Sequence, residues 1–148
     1  MLRAPCLAMA LLLLSVGPAA AGAPGPGANA ALKYWQAFAT LPTLTKAEQT
    51  KLNAECVTMP LDAQARALVT RAEYALRMMH QGAALRRCDW GIGWEEEGVG
   101  LLLPQGNGAR VLSSLACLRA RLRFEAGQNA EALDDVVATM TMGRHFAR

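Results

Sequence analysis

Aromatic residues make up only 5% of the 148-residue sequence and charged residues only 18%. Lysine is almost missing, at 3 against 12 arginines, and isoleucine occurs once. This shortage of β-branched and aromatic residues counts against a β-sheet protein. Fifteen basic and 12 acidic residues leave a net charge of +3, without the clustered excess on one face that marks a nucleic-acid binder. No apolar run reaches the roughly 20 residues needed to span a bilayer. The CxxC, HExxH, GxSxG, P-loop and calcium-loop patterns are all absent. Gly91-Ile92-Gly93 has Glu96 where a dinucleotide fingerprint needs its third glycine, so a Rossmann site is excluded. The length allows one ordinary domain and excludes a large multidomain enzyme.

Alanine is abundant, with 29 residues, and hydrophobic residues reach 53%. That fraction is too high for a disordered chain. Ala, Leu and Arg are strong helix formers, so the composition predicts an all-α protein.

Residues 1–21 read as a secretory signal peptide rather than as part of the fold. Arg3 supplies a positive start, residues 7–16 are apolar apart from Ser15, Gly17-Pro18 breaks the run, and Ala19-Ala20-Ala21 offers a cleavage signal. Cys6 precedes the apolar run and is misplaced for lipidation after cleavage. The alternative is an uncleaved anchor. Removing 21 residues from 148 leaves 127, and losing Arg3 leaves a charge of +2. No later segment is long and apolar enough to span a membrane, so an exported chain in the periplasm or outside the cell is expected. Residues 22–28, beginning GAPGPG, read as a flexible leader. The helical domain is then 29–148.

About five helices are expected within it. The first runs over 30–40 behind Asn29 as N-cap, with Leu32, Trp35 and Phe38 or Ala39 on its apolar face, and Pro42 stops it. Thr45 and Glu48 match a capping box, opening a second helix to about Glu55. Asp62 caps a third helix to about Leu85. Its stripe is Leu61, Ala65, Leu68, Ala72, Ala75, Leu76, Met79 and Ala83, with Glu73 and Arg77 paired on the opposite side. Residues 86–108 form one long glycine-rich loop, in which Leu101, Leu102 and Leu103 could make a short turn or strand. Loops of that length inside a domain are often functional. A fourth helix over 109–126 carries Val111, Leu115, Leu118 and Leu122 on one face. A second face of Ser113, Ala116, Ala120 and Phe124 predicts packing on two sides. Gly127 ends it, and a fifth helix after Asn129 carries Leu133, Val136, Val137 and Met140. The short connection predicts an antiparallel hairpin resembling one tetratricopeptide-type helix pair, although no second copy occurs at a spacing near 34.

Cys56, Cys88 and Cys117 remain after cleavage. In an oxidising compartment one disulfide is expected beside one thiol. Cys56 and Cys88 flank a third helix about 36 Å long, whereas a bridge needs Cα atoms within about 7 Å. Cys88 with Cys117 is therefore the easier pair, and three thiols are the alternative.

Few residues suggest chemistry. His80, Cys88, Asp89 and Glu95, Glu96 and Glu97 have donors that suit zinc, although their spacing fits no known pattern. No metal or cofactor is expected from them. The three glutamates read more simply as a solvated loop tip. Trp90 and Trp94 stand out in an aromatic-poor chain. Each is either a plug that fastens the loop to the helices or an anchor for a partner. Trp90, Trp94, Glu95 and Glu96 are the candidate binding residues.

The segments CDWG (88–91), LRARLRFEAG (118–127) and EALDD (131–135), with AALKYWQAF and LPTLT near the start, resemble a group of uncharacterised exported bacterial helical proteins. The resemblance covers nearly the whole chain after residue 21 and implies no activity. Members of that group continue past the point matching Arg148. Three readings follow: a helical module binding another envelope protein or peptide through the 88–104 loop and the groove beside the last two helices; a metal protein or enzyme using the 80–97 region; or a fragment of a longer helical protein.

Overall fold

In the computed structural model, which describes residues 27–55, 57–91 and 105–147, five α-helices follow one another and no strand occurs among the described residues. They are α1 (Ala30–Ala39), α2 (Lys46–Glu55), α3 (Ala63–Ala83), α4 (Gln105–Glu125) and α5 (Asn129–Phe146). The protein is all-α.

Local chemistry sets most of the helix ends. The Asn29 side chain accepts from the Ala31 amide at 3.1 Å. Thr45 and Glu48 exchange side-chain bonds with each other's amides at 2.8 and 3.2 Å, which is the expected capping box. Asp62 accepts from Ala65 at 2.9 Å. Gly127 takes φ +76°, a conformation that other residues adopt only with strain, and so closes α4 and turns the chain into α5.

The α3 helix is central and touches α1, α4 and α5, while α2 packs on α4. Its expected stripe is correct: Ala65, Leu68, Ala72, Ala75, Leu76 and Met79 are all buried. The expected Glu73–Arg77 pair does not form. Glu73 instead accepts from Arg119 on α4, and Arg77 lies over the Tyr74 ring.

The apolar face expected for α1 requires correction. Its buried residues are Ala30, Ala31, Tyr34 and Ala37, whereas Leu32 and Trp35 are 62% and 40% exposed. Two features turn the helix this way. The Tyr34 hydroxyl is hydrogen-bonded to His145 Nδ1 at 2.8 Å, and Gly82 on α3 leaves room for the ring. A β-carbon at Gly82 would lie 2.7 Å from Tyr34 Cε1 and 2.9 Å from Cδ1. Gly82→Ala is therefore expected to lower the thermal midpoint. Overpacking costs about 1–3 kcal/mol, which outweighs the helix-propensity gain of about 1 kcal/mol. Calorimetry of the variant checks this.

The α4 helix begins at Gln105, four residues before the expected start, despite Gly106 and Gly108. Gly108 has a packing reason, since a β-carbon there would sit 2.9 Å from Phe38 Cγ. The first face expected of this helix is buried at Val111, Leu115 and Leu118, and the second is buried at Ala116 and Ala120 but not at Phe124, which is 44% exposed. A three-residue turn leads to α5. The contacts of Arg123 with Glu131 and of Arg119 with Asp135 step away from that turn together.

The inward face of α5 is not the expected one. Ala132, Asp135, Ala138, Met142 and His145 are buried. Leu133, Val136, Val137 and Met140 are 55%, 40%, 58% and 66% exposed. These four large apolar side chains face outward, while Met142 is the large apolar residue of α5 that is buried.

Candidate binding surface

The reason for that outward face lies at the junction of α3, α4 and α5. Asp135 is fully buried and Arg119 is 5% exposed. Arg119 donates through Nε to both Asp135 oxygens, at 3.2 and 3.0 Å, and through Nη1 to Glu73 at 3.1 Å. Arg123 adds a bond to Asp135 Oδ2 at 2.8 Å. His80 Nε2 lies 2.7 Å from Asp135 Oδ1 and 3.0 Å from Arg119 Nη2. Burial alone would raise the Asp135 carboxyl. The hydrogen bonds from His80 and Arg119, with the charges of Arg119 and Arg123, outweigh it and hold the group below the usual carboxylate range. Once Asp135 is turned inward to these partners, helix geometry directs positions 133, 136, 137 and 140 to the other side.

Beside this network is a cavity of about 270 Å³, lined by Glu73, Arg77, His80, Arg123, Glu131 and Asp134 together with Arg119. A carboxylate-oriented imidazole is half of a catalytic arrangement. Its lining offers no hydroxyl or thiol among the described residues, and Glu73, His80, Arg119 and Arg123 are held in the network around Asp135. The geometry reads as a tie between three helices.

A second tie centres on Trp90. Its Nε1–H donates to the His145 carbonyl at 2.8 Å. Its ring lies 4.4 Å from that of Phe146, 5.7 Å from Tyr34 and 6.3 Å from Phe38. Asn29 fastens the same segment, donating to the Asp89 carbonyl at 2.7 Å and accepting from the Asp89 amide at 2.9 Å. The structure thus places Trp90 as a plug holding the end of the 86–91 segment against α1 and α5. Trp94, Glu95 and Glu96 lie outside the described residues, as do Glu97, Cys56 and the turn expected at 101–103.

Of the residues weighed for a metal, the described His80 and Asp89 take separate partners. His80 takes Asp135, whereas the Asp89 carboxylate accepts from the Gly91 amide at 3.0 Å and from Arg87 at 3.3 Å. The Gly91 bond first, then Arg87, holds the Asp89 carboxyl below its ordinary value. No group of three or more His, Cys, Asp or Glu is placed to hold a metal among the described residues. The expected Cys88–Cys117 bridge is not present. Cys88 packs near Tyr34, whose hydroxyl is pushed above its usual range by burial and by Cys88. Cys117 instead lines a groove between α4 and α5.

That groove is the remaining candidate. It holds about 270 Å³ and is walled by Ala116, Cys117, Ala120 and Phe124 of α4 and by Val136 and Met140 of α5. Phe124 is 44% exposed and continues the outward stripe of α5 across the groove. Leu133, Val136, Val137 and Met140 follow i, i+3, i+4, i+7 spacing, which is the spacing of a helix-packing seam. Sequence reading found these four residues and assigned them to the wrong side. It missed Arg119 and Asp135, although one signal was available. Asp135 stands three residues from both Ala132 and Ala138, in register with buried small residues.

Comparison with family models, with curated proteins and with solved structures returned no match. The class of the protein therefore rests on its own fold: among the described residues, five helices of which α3, α4 and α5 are tied by a buried ion network, with an apolar stripe of α5 turned outward. No described helix is long and apolar enough to cross a membrane.

Proposed function

We propose that this chain is an exported helical docking module of the cell envelope. Its α4–α5 pair, a tetratricopeptide-like antiparallel hairpin, receives an amphipathic helix of a partner polypeptide on its outer face. The carrying observation is the outward stripe of Leu133, Val136, Val137 and Met140 beside the apolar groove that Phe124 flanks. A seam of this spacing accepts another helix laid along it. Asp134 and Arg144 on the same helix flank the stripe with opposite charges, which favours a partner helix with complementary charges on its own edges. The basic, apolar and small-residue order of residues 1–21 supports export.

Photo-crosslinking tests the reading. A photoreactive residue replacing Met140 is expected to give one discrete adduct in the cell envelope, mapped to a helical segment. Thr70, exposed on α3, serves as the control position. Met140→Asp, at an exposed site, is expected to change stability by no more than about 0.5 kcal/mol. Crosslinking at position 140 no stronger than at position 70 would overturn the proposal.

A further inference from the structure

We infer that the helix received by this face is α5 of a second copy of this chain, paired antiparallel about a two-fold axis at Met140. The inference rests on the docking reading above and names its partner. At about 100° per residue, Leu133, Val136, Val137, Met140 and Arg144 fall within one arc about 100° wide. Met140 lies near the middle of that stripe. With the two-fold axis there, Val137 of one copy faces Gly143 of the other. Gly143 has no side chain to hold the helices apart, and a β-carbon built on it would meet nothing of its own chain within 4 Å.

The charges select this arrangement over a parallel one. In the antiparallel pairing Arg144 of one copy lies level with position 136 of the other. That is two residues, or about 3 Å of rise, from Asp134. Both side chains lie on the same flank of the seam, so the arginine reaches the aspartate. Two-fold symmetry makes the contact twice. Asp134 has no ion-pair partner in its own chain among the described residues, and Arg144 donates only to the Thr141 hydroxyl there, at 3.0 Å. The antiparallel sense also sets the two helix dipoles head to tail. An unrelated helix would need to supply this charge pattern independently, whereas a second copy carries both halves.

Sedimentation velocity on the purified chain tests this. A species of twice the chain mass is expected, with Met140→Asp monomeric and of unchanged helicity. Asp134→Arg and Arg144→Asp should each weaken dimerisation roughly fivefold, the size expected for two exposed ion pairs. The double variant D134R/R144D should return close to the parent. A monomer at about 1 mM, where even weak association is visible, would overturn the self-pairing and leave the docking module to its own crosslinking test. A dimer indifferent to Met140→Asp would overturn self-pairing through this face and likewise leave the docking module to its crosslinking test. A dimer lost in Met140→Asp but not rescued in the double variant would overturn the antiparallel register.

Discussion

Asp135→Ala is expected to destabilise the protein by about 3–5 kcal/mol, because it leaves a buried guanidinium without its carboxylate. Arg119 is 5% exposed and bonds Asp135 through Nε and Nη2, with Nη1 reaching Glu73. Urea unfolding followed by circular dichroism measures the loss as a fall in midpoint at unchanged slope. The companion variant separates charge from packing. Asp135→Leu with Arg119→Met removes both ions and is expected to recover most of the stability, since apolar replacements of buried pairs are often neutral or better. A double variant as unstable as the single one would show that the network does more than offset its own desolvation. The pH dependence has a definite sign. The Asp135 carboxyl is held below its ordinary value in the folded chain, against about 3.9 when unfolded. Its contribution is fully present above the unfolded value and is lost as pH falls through the folded one. Stability should therefore decline below about pH 4, and less steeply in the Asp135→Leu, Arg119→Met variant.

Trp90→Ala is expected to cost about 3 kcal/mol or more, in the range of large aromatic truncations. The ring contacts Tyr34, Phe38 and Phe146, and its Nε1–H is bonded to the His145 carbonyl. Trp90→Phe keeps the ring contacts and loses the hydrogen bond, so it should cost only about 1 kcal/mol. A Trp90→Ala variant within about 0.5 kcal/mol of the parent, the size of ordinary surface changes, would return Trp90 to the role of a partner anchor. These two ties share one consequence. The first orients α5 from its middle, through Asp135. The second holds its end, through His145 and Phe146. Together they set which side of α5 the solvent meets.

Much of the fold was legible before any coordinates. Asn29, Thr45 with Glu48, Asp62 and Gly127 mark helix ends as expected, because a cap satisfies amides only two or three residues away. The α3 stripe was legible because a long central helix buries the face its periodicity names. The start of α4 was not. Gly106 and Gly108 read as loop, and only the approach of Phe38 to Gly108 gives a glycine there a use inside a helix. The site was legible in composition and not in orientation. Leu32 and Trp35 of α1 and Leu133, Val136, Val137 and Met140 of α5 were assigned to the core, where alanines with Tyr34, Asp135, Met142 and His145 sit instead.

What this sequence determined by itself is the all-α class, the five helices and most of their ends. Those depend on propensity and on hydrogen bonds between near neighbours in the chain. What only the tertiary structure decided is the rotation of α1 and α5 about their own axes. Tyr34 is held by His145, 111 positions away, and His80 by Asp135, 55 positions away. A helix with two plausible faces turns toward the one whose polar atoms find partners, since an unpaired buried charge costs more than an exposed leucine. No local pattern carries the address of such a distant partner.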